Sequence, residues 1–182
     1  MSKTLQEFDS IIYICKDIFI KKMHDYGVAW RILRLPSVTD QIYIKAQRIR
    51  SIEEKGISKI DENIYSEFIG IVNYAIMAQI QIALSPASID NTNMSSDEVI
   101  GLYDTYIQKA RKLLSDKNHD YDEAWRNMRI SSITDIILMK ILRIKQIENI
   151  NQQTIVSEGI DANYYDILNY AVFALIKLTP QK

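Results

Sequence analysis

The chain has little of what breaks or staples a backbone: 5 Gly, 3 Pro and 1 Cys among 182 residues. So few punctuating residues leave little material for the turns of a many-stranded sheet and favour long, uninterrupted helices. One cysteine cannot close an intrachain disulfide, and Cys15 stands among Ile14, Ile18 and Phe19, the surroundings of a buried, inert thiol. Neither sign of charge is in excess: 22 basic and 23 acidic residues give a formal net charge of -1. The basic surplus with which proteins grip a phosphate backbone is missing, which excludes duplex nucleic acid as the main partner. There is no glycine-rich phosphate loop and no G-x-S-x-G elbow. His24 and His119 have no cysteine or second histidine at ligand spacing, so a zinc site is not expected. The opening MSKTLQEFDS lacks a basic segment followed by an apolar run, so no secretory signal is expected. Residues 68–89 carry no charge and are long enough to span a bilayer. Asn73, Gln79 and Gln81 interrupt them, however, and the corresponding stretch further along carries Asp166 and Lys177. That pattern reads as a buried core helix, with no membrane as partner and a cytoplasmic location.

What the chain does have is self-similarity. Residues 24–53 match residues 119–148 without a gap, and 16 of the 30 positions are identical. The offset is 95 here and upstream, where Asp9 meets Asp104 and Lys22 meets Lys117; it becomes 96 downstream, where Glu62 meets Glu158 and Asn73 meets Asn169. Such a spacing marks a domain duplication and is too long for a solenoid repeat. The expected fold is all-α: two tandem helical bundles, about four helices each, packed as a pseudo-twofold dimer. Unit one spans 1–85, a Pro-, Ser- and Asn-rich linker 86–96, and unit two 97–182. In each unit a first helix opens on capping-box spacing, Thr4 with Glu7 and Ser95 with Glu98. A short helix follows at 26–33 and 121–128, a long third opens at Ser37 and Ser132, and a fourth covers 62–84 and 158–178. Asp40 and Asp135 lie three residues after Ser37 and Ser132 and read as capping residues.

Charge in the wrong place marks the candidate site. The third helix of unit two is apolar nearly all the way round, and such a helix excludes charge unless it is paired. Lys140 and Arg143 interrupt it on one face. On the fourth helix Glu158, Asp161, Tyr165 and Asn169 form a stripe, with Asp166 at its margin. Unit one keeps Lys45, Arg48, Glu62 and Asn73 but has Tyr65 for Asp161 and Gly70 for Asp166. Its extra acid, Glu67, lies about 140° round the helix from Glu62. Two readings stand side by side: an ion-pair network that docks the helices, or a pocket where carboxylates hold Mg²⁺ and the basic pair meets phosphate oxygens. Trp30 and Trp125, each followed by an arginine (Arg31, Arg126), are packing anchors or platforms on which a base stacks.

Each unit resembles the nucleotide modification associated domain 1 family, small phage and bacterial domains of unknown biochemical activity. The shared elements are Asp25-Tyr26-Gly27 and Asp120-Tyr121-Asp122, the K-x-x-R pairs Lys45/Arg48 and Lys140/Arg143, and a last helix carrying Glu158, Asp161, Asp166, Asn169 and Tyr170, or Glu62, Asn73 and Tyr74. Departures from the family pattern are Ile44 and Met139 before the lysine, Ser66 and Ala162 at the second acid, and Gly70. The family is also similar to the all-α nucleoside triphosphate pyrophosphatases of the MazG and dimeric dUTPase type, whose E-x-x-D motif Glu158 to Asp161 satisfies, whereas no E-x-x-E precedes it. The resemblance implies a nucleotide, or another phosphorylated small molecule, as partner. Asp120, Tyr121, Arg126, Lys140, Arg143 and Asn169 would touch it, and Glu158, Asp161 and Asp166 would hold Mg²⁺. A Mg²⁺-dependent pyrophosphohydrolase acting through unit two, with unit one mainly structural, is one expectation. The alternative is a non-catalytic binding or scaffold protein whose acidic set has eroded, and self-association of the whole chain stays open.

Overall fold

The computed structural model describes residues 2–56, 63–151 and 159–180. All regular structure among them is helical: α1 (Lys3–Tyr26), α2 (Leu35–Lys55), α3 (Ile64–Leu84), α4 (Ser96–Tyr121), α5 (Ile130–Asn149) and α6 (Ile160–Leu178). Each unit contributes three long helices, and the short helix expected after the first is a single 3₁₀ turn, Ala29–Ile32 and Ala124–Asn127.

Local chemistry sets most of the helix ends. Ser95 and Glu98 form the expected capping box. In unit one the cap lies two residues earlier than the Thr4–Glu7 spacing implied: Ser2 accepts from the Leu5 amide, and Thr4 is inside the helix. The same correction applies to α2 and α5. They open at Leu35 and Ile130 behind Arg34 and Arg129, with no side-chain cap, so Asp40 and Asp135 are not capping residues. Asn63 caps α3 by accepting from the Ser66 amide, and Gly56 ends α2 in the left-handed conformation (φ 67°) that a residue without Cβ adopts freely.

α3 and α6 pack most extensively on each other, α2 lies against α3, α5 against α6, and α2 against α5. The last two helices of each unit thus form one common four-helix bundle, and α1 and α4 lie across it, each touching α3, α6 and the other. Its core is almost wholly aliphatic and aromatic, from Phe8 and Ile42 to Ile71, Leu114, Ile137 and Tyr164. Of the described helices, α3 alone is long and apolar enough to cross a membrane, and 67% of its most apolar stretch is buried inside the bundle. Burial pushes the Cys15 thiol up to about 12, in line with an inert thiol.

Reciprocal contacts display the pseudo-twofold axis. Lys16 pairs with Asp104 (2.6 Å) and its counterpart Arg111 pairs with Asp9 (2.7 Å). Asp40 pairs with Lys145 (3.1 Å) and Asp135 with Arg50 (3.7 Å). Thr39 donates to Glu148 (3.4 Å) and Thr134 to Glu53 (2.8 Å). At an offset of 95 each contact maps onto the other of its pair, which is how an isologous dimer interface behaves.

Candidate functional site

Each unit sets one carboxylate where its second and third long helices meet, buried in unit one and half-buried in unit two, at different positions. In unit two Asp166 of α6 accepts from Lys140 of α5 (2.9 Å) and from Lys117 at the end of α4 (2.5 Å). In unit one the equivalent of Asp166 is Gly70, and the acid stands one turn earlier. Glu67, 4% exposed, is bound by the Arg48 guanidinium and lies 3.4 Å from the Lys45 ammonium. Its counterpart, Asn163, instead turns back to the Gly159 carbonyl at the start of α6 (2.9 Å). A three-residue shift keeps a side chain on the same helix face, so both units keep a paired carboxylate there. Glu67 is off a stripe that starts at Glu62 but on the face that Lys45 and Arg48 meet.

A cavity of about 480 Å³ lies inside unit one, among α1, its 3₁₀ turn, α2 and α3, within the range of small-molecule sites. Lys45 lies along the bare backbone at Gly70, where an added Cβ would come within 2.7 Å of its Cε. Phe19, Met23, Trp30 and Met77 supply apolar and aromatic wall; Lys22, Lys45, Glu67, Asn73 and Tyr74 supply polar groups. Among the described residues Lys22 has no ion-pair partner, whereas its counterpart Lys117 is bound to Asp166. Asn73 is fixed from both ends: it donates to the Cys15 carbonyl (3.0 Å) and accepts from the Tyr103 hydroxyl of unit two (2.9 Å).

At the equivalent place in unit two aromatic side chains lie against one another. Phe173, in place of Met77, stacks on Trp125 with centroids 4.2 Å apart and planes 3° from parallel, and Tyr170 meets Phe173 edge-on at 6.0 Å. The open cavity therefore lies in unit one, whereas the candidate set from sequence was drawn in unit two.

The remaining expected residues are scattered. Arg143 reaches Gln146 of its own helix (3.5 Å) and forms no ion pair with Asp161 or Asp166. Asp161 is exposed in the first turn of α6. Asp120 lies 3.1 Å from His119 on the surface, and Tyr121 is 71% exposed. Arg126 is committed to structure: it binds Glu123 (2.7 Å), crosses to Glu7 of α1 (2.6 Å), and donates to Thr4. Those bonds raise its pKa and hold Glu123 below the usual carboxylate range. Asn169 donates to the Ala110 carbonyl (3.2 Å). Glu158 and Glu62 lie outside the described residues. Among the described residues no group of three or more carboxylate, imidazole or thiol side chains is placed to hold a metal ion.

The fold and the cavity define a class: a duplicated all-helical domain with a chamber, open to the surface, in its first copy. The family model for nucleotide modification associated domain 1 matches residues 22–82 and 117–178, once in each unit. The chain belongs to that family. No curated protein and no solved structure matches it.

Proposed function

We propose that this is a nucleotide-associated binding protein whose ligand enters the chamber of unit one and is held there without hydrolysis. The observation that carries the reading is a chamber of about 480 Å³ with an aromatic wall at Trp30 and two lysines, Lys22 and Lys45, on its lining. Apolar surface with a few placed polar groups suits a small organic ligand, and ammonium groups beside it suit a phosphorylated one. Membership of a nucleotide-associated family points the same way.

Hydrolysis assisted by Mg²⁺ in unit two would use Glu158, Asp161 and Asp166. The described pair does not fit that ion well: Asp166 is already neutralised by Lys117 and Lys140, and Asp161 is exposed five residues earlier on α6. A divalent cation would have to displace two ammonium groups from Asp166. Nothing in this reading requires Mg²⁺.

A panel of nucleotides, with and without Mg²⁺, followed for binding by calorimetry and for pyrophosphate release, tests it. Binding that is independent of Mg²⁺ and unaccompanied by release is expected. Mg²⁺-dependent release that Asp161→Asn and Asp166→Asn abolish would transfer the function to unit two as a pyrophosphohydrolase.

A further inference from the structure

Unit two closes its chamber with two groups that together have the outline of a ligand, a flat ring and an anion. The ring is Phe173, face to face on Trp125. The anion is the Asp166 carboxylate, between the ammonium groups of Lys117 and Lys140 at 2.5 and 2.9 Å. Unit one keeps the three receiving side chains, Trp30, Lys22 and Lys45, on the chamber lining but has Met77 and Gly70 where the ring and the anion would be. The receptor half of the arrangement is retained, while the unbranched Met77 side chain stands in the ring's place and the end of Lys45 lies over the bare backbone of Gly70 in the anion's place, both able to swing aside for a ligand.

We propose that the chamber of unit one takes a nucleoside monophosphate, its base on Trp30 as Phe173 lies on Trp125 and its phosphate between Lys22 and Lys45 as Asp166 lies between Lys117 and Lys140. This deepens the binding reading above and rests on it. Gly70 and Met77 are seven residues apart on α3, so the two places share one helix face and are about 10 Å apart along the axis. Ring and anion thus enter from the same side, as a base and its phosphate do within one nucleotide. Base-on-aromatic stacking tolerates every base, so the site reads the phosphate more than the base. Charge selects the monophosphate. A phosphate monoester carries about -1.5 to -2 at pH 7, which two ammonium groups match. Among the described residues lining the chamber Lys22 and Lys45 are the cations, and Glu67 is paired with Arg48 behind them, so a triphosphate would meet no third ammonium or guanidinium there. Glu67, 3.4 Å from Lys45, would also repel the extra negative charge.

Calorimetric titrations without Mg²⁺ test this, using adenosine and thymidine, each as nucleoside, 5′-monophosphate and 5′-triphosphate. The wild-type chain should bind the monophosphate at least tenfold more tightly than either relative. Gly70→Asp should close the lysine pair on itself, as in unit two, and lower monophosphate affinity at least tenfold while leaving nucleoside affinity in place. Lys22→Gln, on an exposed side chain that the fold does not need, should do the same. Met77→Phe should weaken nucleoside and nucleotide alike. Melting curves of each variant check folding, and Lys22→Gln keeps the test valid if Gly70→Asp melts early. Tightest binding by the triphosphate, or unchanged monophosphate affinity in Lys22→Gln, overturns the phosphate subsite and leaves the chamber reading standing. No binding of any nucleoside or nucleotide overturns both.

Discussion

Asn73 and Asn169 are equivalent residues with unequal surroundings. Each donates to a carbonyl of its unit's first helix, Cys15 and Ala110. Only Asn73 also receives a hydroxyl, from Tyr103, because the residue equivalent to Tyr103 in unit one is Phe8. The Asn169 side-chain oxygen accordingly has no hydrogen-bond partner among the described residues. Leaving a buried acceptor unpaired costs on the order of 1–3 kcal/mol. Tyr103→Phe, which would put Asn73 in the same position, should destabilise the chain by about that amount; a chemical denaturation midpoint unchanged from wild type would show that the hydroxyl contributes nothing. The Tyr103 and Phe8 difference is visible in the repeat alignment. Its meaning is not, because each first helix packs on the last helix of both units.

At the scale of the helix, α2 and α5 meet through groups that the sequence assigned to capping. Asp40 and Asp135 became inter-unit ion pairs because their helices start two residues earlier than the S-x-T-D motif suggested. Beside them Glu53 and Glu148 accept from the threonines of the opposite helix, and burial raises the pKa of both carboxyls above the ordinary value. A carboxyl with a raised folded-state pKa holds its proton more tightly folded than unfolded. Stability therefore falls as pH rises from the ordinary carboxylate range through the raised value, and the penalty persists at neutral pH. Glu53→Gln and Glu148→Gln should raise the melting temperature at pH 7 and leave it nearly unchanged at pH 4, as a pair of thermal melts would reveal. An equal shift at both pH values would assign the effect to packing instead. The helices themselves were legible, since the ungapped repeat and the scarcity of glycine and proline left few alternatives. The site was legible in part: the Lys140–Asp166 pair follows from charge inside an apolar helix, but the exchange of Gly70 with Glu67 does not. An acid displaced by one turn looks lost until the opposite helix shows which face it shares.

Considered as a whole, the molecule has one core built by two repeats. α3 and α6 are each apolar over most of their surface and cover one another, so neither unit alone can bury its own apolar area. The reciprocal ion pairs around them are partly exposed and individually worth about 0–1 kcal/mol; they fix orientation more than they hold the halves together. Residues 1–90 and 91–182 expressed as separate chains should therefore aggregate or self-associate when alone and form a one-to-one complex when produced together. Size-exclusion chromatography with mass measurement checks this, and two well-folded monomers would refute the shared core.

The fusion of the two repeats has an evolutionary consequence. In a dimer of identical chains every mutation is inherited twice, so a change that plugs one chamber plugs both, and a change that costs the fold is felt on both sides of the axis. Joined in one gene, the copies answer separately to selection. Phe173 and Asp166 could be fixed in one copy for rigidity while Met77 and Gly70 kept the other open, a division of labour that no homodimer can inherit.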